Sequence, residues 1–394
     1  MSIALRLGLF YAVLLLGSGA SSPYAGVWFR AQGLSGAAIG LILAAPALGR
    51  AVTGPALAVW ADGFSLRRTP LALLALGLAA GYIALALAHG FWPWLVLWFV
   101  SQSLLASCSP LADVITLRRA RAEGFNYGWP RGIGSASYVA ANVGMGALLE
   151  IAAPNAMIAW IALAALATAA AARWLLPPDR VHEGGEPLRS RERLKGLGEL
   201  LRDPVFMLAI VSGGLIQASH GFYYGFSALT WKRQGLGEGM TGVLWGVGVA
   251  AEVGFLWFAE PWRRRIGPER LLLLGGLGAV ARWTCLALSP PLWLLIPLQA
   301  LHALSYTATF MGSLRLVERL APARSASLAQ TLNSVLIGGF LIGFSTMASG
   351  TLFDAVGAYG YLAMSGIALA GLAGAACLPA LQRARAARRD SEAA

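Results

Sequence analysis

Twelve long apolar runs constrain this chain more than any other feature. Each is about as long as the roughly 20 residues that an α-helix needs to cross about 30 Å of hydrocarbon. Only 12% of the 394 residues are charged and 57% are hydrophobic, whereas an ordinary soluble domain is about 25% charged. The chain is therefore predicted to be an all-α polytopic membrane protein. The predicted spans are 3–29, 36–60, 70–88, 92–117, 129–150, 154–176, 204–231, 238–259, 270–288, 291–314, 325–349 and 355–381.

The basic residues predict how these spans are oriented. The net charge is +12, from 30 Lys and Arg against 18 Asp and Glu. If the N-terminus is cytoplasmic, 24 of those 30 lie on the cytoplasmic side, and the outer loops hold only Arg30, Lys232 and Arg233. Membrane proteins carry this excess in their cytoplasmic loops, so we expect both termini in the cytoplasm. Nucleic-acid binding is not expected, because no basic cluster outside the spans has interleaved aromatic residues.

A polar stretch at 177–203 divides the chain into two halves that have similar sequence segments. An offset of 202 aligns QGLSGAAIG (32–40) with QGLGEGMTG (234–242), and the same offset places Arg50 on Glu252. A repeat of six spans plus six is the arrangement described for the halves of major facilitator transporters. The predicted domains are an N-terminal six-helix bundle at 1–176, a cytoplasmic linker at 177–203, a C-terminal six-helix bundle at 204–381 and a cytoplasmic tail at 382–394.

Several segments resemble the major facilitator superfamily. ADGFSLRR (61–68) is similar to its loop between helices 2 and 3, with Asp62 kept and Ser65 where a glycine is usual. The segments that resemble its 3-phenylpropionate permease branch, near the nucleoside and oligosaccharide proton symporters, are YGWPRGIGSASY (127–138), SHGFYYGFSALTWKRQGL (219–236), LWGVGVAAEV (244–253), ARWTCLALSPPLWLLIPLQALHAL (281–304) and MGSLR (311–315). The resemblance covers nearly the whole chain. It implies twelve transmembrane helices in two pseudo-symmetric bundles, in a bacterial inner membrane.

Polar side chains recur at helical spacing within several spans. Gln217, His220 and Tyr224 are three and four residues apart, so they are predicted to share one helical face. Because lipid cannot satisfy such groups, we expect them to line a common substrate cavity. The alternative is hydrogen bonding between helices, worth about 0.6 kcal/mol per bond. The candidate substrate-binding residues are Gln217, His220, Tyr224, Gln299, Tyr306, Arg50, Arg131, Tyr138, Asn142 and Asn333.

Glu252, Arg282 and His302 lie near the middle of spans 8, 9 and 10. An ionisable side chain in the bilayer costs about 2.5–3.5 kcal/mol on insertion scales, so such groups usually have a function. A carboxylate near an arginine and a histidine can exchange a proton near neutral pH. The trio resembles that of the lactose-permease type of symporter, which implies proton coupling. That type has a second acid one turn after the histidine, where this chain has Ser305, so Glu252 is the candidate proton carrier. The alternative is a structural ion pair that does not titrate.

Three further charged residues are predicted to act in gating. Asp62, Asp113 and Arg315 lie at the expected cytoplasmic ends of their spans, close to other arginines. Ion pairs there would form in one transport state and break in another. The alternative is that each is a solvated anchor that only fixes topology.

The sequence has the features of a transporter and lacks those of an enzyme. It contains no HExxH, no nucleophile elbow and no GxxxxGK[ST] loop, and no cofactor or metal is expected. We expect a monomeric secondary transporter whose partners are protons, a small molecule and the lipid bilayer. The family resemblance implies proton-coupled uptake of an aromatic acid such as 3-phenylpropionate by alternating access. Nucleoside or oligosaccharide symport and export of a drug or metabolite remain open, as does a sensor built on a transporter fold.

Overall fold

In the computed structural model, residues 1–180, 198–322 and 325–393 are described, and they are almost entirely helical. Their only β-type pairing is an isolated antiparallel bridge between Leu66 and Arg180. The helices are α1 (Ile3–Ser21), α2 (Ala25–Ala31), α3 (Gly36–Asp62), α4 (Arg68–Leu87), α5 (Phe91–Glu123), α6 (Gly128–Ile151), α7 (Asn155–Trp174), α8 (Pro204–Ala218), α9 (Gly221–Arg233), α10 (Glu238–Phe258), α11 (Glu260–Ile266), α12 (Pro268–Ala287), α13 (Leu292–Ala300), α14 (Thr309–Leu320), α15 (Ala326–Val335), α16 (Ile342–Val356) and α17 (Gly360–Ala393). Two π-helical segments, Ala303–Ala308 and Leu336–Leu341, interrupt the later helices.

Polar caps set where several helices begin. The Ser2 hydroxyl accepts a hydrogen bond from the amide of Leu5, and the Ser35 hydroxyl accepts one from the amide of Ala38. The Asp203 carboxylate accepts from the first turn of α8, where Pro204 occupies a position whose N–H would have no helical partner. These caps satisfy backbone donors that the helix itself leaves free.

Helix length and composition agree with the predicted membrane spans. Within the described residues, eleven helical stretches are long and apolar enough to cross a bilayer. The last, Leu328–Arg385, has 58 residues, which is about three times the length one crossing needs. It turns at Gly357, whose φ of 57° ends α16. Counting the two sides of that turn separately gives twelve spans.

The chain divides into two compact units. The N-terminal unit is Met1–Gly185 together with Tyr224–Gly246, and the C-terminal unit is Glu186–Tyr223 together with Val247–Ala394. The hairpin of α9 and α10 is therefore shared between them, a feature that the repeat did not predict. The predicted domain boundaries stay a prediction, and residues 181–197 of the predicted linker lie outside the described part of the chain.

Glycines allow the 224–246 hairpin to pack closely within the N-terminal unit. A Cβ at Gly146 would overlap the backbone carbonyl of Glu238, and a Cβ at Gly242 would overlap that of Asn142. The buried Tyr24 hydroxyl donates to the same two carbonyls, at 2.9 Å to Asn142 and 3.0 Å to Glu238. Small residues at such positions let helix backbones approach in membrane proteins. These contacts explain why the hairpin belongs to the N-terminal unit.

Each unit has an apolar core of its own. In the N-terminal unit it forms where α1, α4, α5 and α7 meet, around Leu7, Phe10 and Leu74. In the C-terminal unit, Phe206 and Ile210 of α8 form a core with residues of α14 and α15. The cores hold the backbone elements that carry the polar clusters described below.

The close backbone contacts make a test of the fold. Gly242→Ala is expected to lower the melting temperature of the purified protein, because the added methyl overlaps a backbone oxygen and overpacking costs about 1–3 kcal/mol. Gly254→Ala, on the same helix, is the matched control, since a Cβ there meets no atom within 4 Å. Its melting temperature should stay the same or rise, because alanine favours a helix over glycine. Equal shifts in the two variants would contradict the packing described here.

Candidate functional site

A fully buried guanidinium lies at the centre of a polar cluster in the C-terminal unit. Arg282, on α12, is 0% exposed. Its Nη2 donates to Gln299 Oε1 at 2.7 Å, and its Nη1 lies 2.7 Å from His302 Nδ1 and 3.4 Å from Ser305 Oγ. The guanidinium carbon also lies 4.5 Å from the ring centre of Tyr223. The charge is therefore held by neutral groups and an aromatic face.

The hydrogen bonds of Arg282 determine the tautomer of His302. Arginine has only donors, so His302 Nδ1 must accept and its ring proton is on Nε2. That Nε2 lies 3.0 Å from Glu252 Oε1, and it therefore donates to the carboxyl group. A second proton on Nδ1 would face the donor of Arg282, so His302 can become doubly protonated only if this contact breaks.

Glu252 is the acid of this cluster. Its side chain is 20% exposed, in contrast to the buried Arg282. Thr307 donates to its second carboxylate oxygen at 3.2 Å. Glu252 is thus connected to Arg282 through one imidazole ring, while part of its side chain stays exposed.

A second histidine extends the cluster. His220 Nδ1 lies 3.0 Å from the carbonyl of Gln217 and must donate to it, so Nε2 accepts from the Ser305 hydroxyl at 3.1 Å. The Gln217 side chain donates to the carbonyl of Tyr306 at 3.0 Å. The Ser305 hydroxyl thus joins His220 to Arg282.

Irregular backbone positions these side chains. The helix pair α8 and α9 is interrupted at Ser219 and His220, and the chain passes from α13 through His302 into the π-helical segment Ala303–Ala308. Pro297 lies within α13 and cannot donate a helical hydrogen bond. Short π-helical segments are frequent at functional sites. Regular 3.6-residue spacing could not predict them.

The interruption changes which tyrosine joins the cluster. Tyr223 is buried, packs over Arg282 and lies 5.8 Å from His302 between ring centres. Tyr224, which regular spacing placed on the face of His220, belongs to the N-terminal unit and packs against Trp245 at 6.0 Å. The shared face that the sequence predicted is therefore not continuous, and the role of Tyr224 in binding stays a prediction.

The N-terminal unit holds a second polar cluster. Asp113 accepts hydrogen bonds from the Tyr11 hydroxyl at 2.5 Å and the Tyr127 hydroxyl at 2.9 Å, both at Oδ1. The guanidinium carbon of Arg131 lies 5.2 Å from the ring centre of Tyr11. Its Nη1 is buried and has no hydrogen-bond partner within the described residues. An unsatisfied buried donor is uncommon and usually indicates a missing acceptor.

The other predicted binding residues lie at separate places. Arg50 is exposed on α3. Asn142 is fully buried on α6, and its side chain donates to the carbonyl of Tyr138. Asn333 is buried on α15 of the C-terminal unit. The side-chain oxygens of Asn142 and Asn333 have no partner in the described part of the chain. Their roles in binding stay predictions.

Asp179 is a charged residue that the sequence analysis missed. It is buried, and its carboxylate lies 3.5 Å from Arg67, 3.5 Å from Arg118 and 3.8 Å from Arg119. Asp62, which the loop motif associated with Arg67, is exposed. The first polar residues after α7 are thus fixed to the N-terminal unit by one acid and three arginines. Sequence position at the start of a linker gave no sign of this burial.

The other two predicted gating residues have local partners. Asp113 is held by Tyr11 and Tyr127, as described above. Arg315 donates to the backbone carbonyl of Arg263 at 3.2 Å within the C-terminal unit. The gating roles of Asp62, Asp113 and Arg315 stay predictions.

The family of this chain is shown by a family model that matches residues 3–362, that of the MFS_1 like family. The chain belongs to this family. It is 26% identical over 369 residues to the "Probable 3-phenylpropionic acid transporter" of Escherichia coli (strain K12), covering 92% of this chain and 94% of the relative. It is 25% identical over 361 residues to the "Uncharacterized transporter YwbF" of Bacillus subtilis (strain 168), covering 91% and 88%.

Solved structures show the same fold. The nucleoside transporter NupG is 14% identical with a TM-score of 0.82, covering 96% of this chain and 99% of that one. A bacterial homologue of the human lysosomal transporter Spinster is 14% identical with a TM-score of 0.73, covering 95% and 96%. Family and fold together make this protein a membrane transporter of the MFS type and not an enzyme.

The Asp179 cluster gives a prediction about stability. Asp179→Asn is expected to destabilise the protein by about 3 kcal/mol, because it removes the charge of a buried carboxylate that three arginines share. Glu123→Gln is the matched control, since Glu123 is exposed and lies 3.9 Å from Arg119; it should cost at most about 0.5 kcal/mol. Melting temperatures in detergent measure both. If Asp179→Asn lowers the melting temperature no more than the control does, the cluster contributes no more to stability than an exposed ion pair.

Proposed function

We propose that this protein is a proton-coupled transporter that takes up a small aromatic acid by alternating access, with Glu252 as the proton carrier. The contact that supports this is the chain from Glu252 through His302 to Arg282, at 3.0 Å and 2.7 Å. It joins a partly exposed acid to a buried positive charge through a histidine of defined tautomer. Such an arrangement makes the state of Arg282 depend on the protonation of Glu252.

The electrostatic effect of a proton on Glu252 follows from these contacts. Ionised Glu252 compensates the charge of Arg282 across the imidazole. Protonated Glu252 can still accept from His302 Nε2 through its carbonyl oxygen, but it no longer offers a negative charge. Burying an uncompensated guanidinium is costly, so protonation favours a different conformation of the C-terminal unit. His302 acts in this scheme as a positioning residue between the two charges.

Arg131 is the proposed residue for the substrate carboxylate. Arg282 is already engaged by His302, Gln299 and Ser305, and Arg50 is exposed. Arg131 has a buried Nη1 without an acceptor in the described residues. A carboxylate oxygen would supply that acceptor through a charge-assisted hydrogen bond. The name of the Escherichia coli relative supports 3-phenylpropionate as the first compound to test.

The direction and location of transport are also part of the proposal. The excess of Lys and Arg in alternate loops supports a cytoplasmic position of both termini, and the bacterial origin of the two transporter relatives supports a bacterial inner (plasma) membrane location. In that orientation the proton gradient favours uptake. The protein is proposed to act as a monomer, with the substrate and protons as its ligands. The other predicted binding residues belong to the same proposal, and Asp62, Asp113 and Arg315 are retained in it as gating residues.

Removing the acid tests the coupling. Glu252→Gln is expected to abolish uptake of 3-phenylpropionate driven by a pH gradient in proteoliposomes while substrate exchange continues, because the amide cannot carry the proton. Glu150→Gln changes an exposed carboxylate of the N-terminal unit in the same way and should keep both activities. Rates are counted above those of protein-free vesicles, since the neutral acid also crosses lipid unaided. Accumulation by Glu252→Gln at the wild-type level would refute the assignment.

Removing the guanidinium tests the carboxylate site. Arg131→Gln should weaken binding of 3-phenylpropionate about 10- to 100-fold, the loss expected for a hydrogen bond to a charged group. Binding of the uncharged 3-phenylpropionamide should change little. Arg173→Gln is the control, because Arg173 is exposed on α7 and has no proposed role, and it should leave both affinities unchanged. Isothermal titration calorimetry in detergent measures these affinities. An equal loss of affinity for the acid and the amide would contradict a carboxylate contact at Arg131.

A further inference from the structure

Three aromatic rings form a row in the C-terminal unit. His302 positions Glu252 and Arg282, Tyr306 is already a predicted binding residue, and Phe310 has had no role so far. His302 and Tyr306 stack with ring centres 5.3 Å apart and planes 20° from parallel. Tyr306 and Phe310 follow at 6.5 Å and 5°. These distances lie within the range of about 4.5–7 Å at which aromatic pairs attract.

The π-helical segment affects how the three rings are spaced around the helix. An α-helix has 3.6 residues per turn, so a step of four residues goes slightly past a full turn. A π-helical turn contains more residues, so the same step falls short of a full turn. The step from His302 to Tyr306 lies in the π-helical segment, and the step from Tyr306 to Phe310 passes from that segment into α14. Both steps are therefore close to one full turn, which is consistent with the observed stacking of each pair.

The row changes from buried to exposed along its length. His302 is 6% exposed and contacts Glu252, whereas Phe310 is 48% exposed. Tyr306, between them, is partly buried and also lies edge-on to His220 at 5.7 Å. The row therefore begins at the proposed proton carrier and ends in a ring with an open face.

We propose that Tyr306 and Phe310 form the subsite that takes the aromatic ring of the substrate. This inference rests on the proposed function. A further ring placed against Phe310 would extend the existing row with the same geometry. An ionised Glu252 beside the row would repel the carboxylate of the substrate. The row therefore suits the aromatic ring of the substrate better than its carboxylate. Phe310 would thus distinguish aromatic from saturated acids.

The test compares two acids of the same length and charge, 3-phenylpropionate and 3-cyclohexylpropionate. For the wild type, the phenyl compound should bind about 2- to 10-fold more tightly, as ring stacking provides. Phe310→Leu should reduce this ratio by at least about two-fold, and Phe310→Tyr should keep it. Phe258→Leu is the matched control because Phe258, 82% exposed on α10, lies outside the row; its ratio should equal that of the wild type. Melting temperatures confirm that the variants are folded.

Each outcome bears on one of the two proposals. A ratio for Phe310→Leu equal to that of the wild type would overturn the ring subsite and leave the transport proposal intact. A loss of the ratio in Phe258→Leu as well would also overturn it, because the effect would then not depend on the row. If the wild type binds neither acid, the aromatic-acid function fails together with the subsite. A lower ratio in Phe310→Leu alone supports the assignment.

Discussion

The buried guanidinium of Arg282 is the constraint on which the C-terminal unit depends. A charge removed from water costs several kcal/mol unless it is paired and hydrogen-bonded. The unit meets this cost with Gln299, His302 and Ser305 and with the faces of Tyr223 and Trp283. Only Glu252, beyond the imidazole, supplies a negative charge to this group among the contacts described. The cluster therefore joins α9, α10, α12 and α13 through contacts that end at one acid.

Ser305 joins Arg282 to His220 through a hydroxyl, which transmits hydrogen bonding without adding a second titrating carboxyl group. The geometry at His302 then makes the histidine a donor to Glu252 and an acceptor from Arg282. Under the proposed function the acid carries the proton, and the two histidines fix the positions of their neighbours.

The fold was predictable because its signal is repeated. The lengths of the apolar runs predict twelve spans, and the Lys and Arg of alternate loops predict their orientation. The repeat of six spans indicates the family. The grouping of Glu252, Arg282 and His302 could be anticipated because buried charges in lipid must find each other. The sequence could not predict the contact of Tyr223, the interruption at His220 or the row of rings, because each depends on backbone that is not α-helical. The burial of Asp179 depends on tertiary contacts with three arginines, which the local sequence does not encode.

Measuring proton movement together with substrate entry is the direct test of proton-coupled transport by this protein. Proteoliposomes containing a pH-sensitive dye, with the membrane potential clamped at zero, would receive an inward gradient of 3-phenylpropionate and no pH gradient. If transport is proton-coupled, the interior should acidify faster than in protein-free vesicles. The additional protons should enter in a fixed ratio to the substrate that the protein imports. Substrate entry through the protein with no acidification above that background would contradict it.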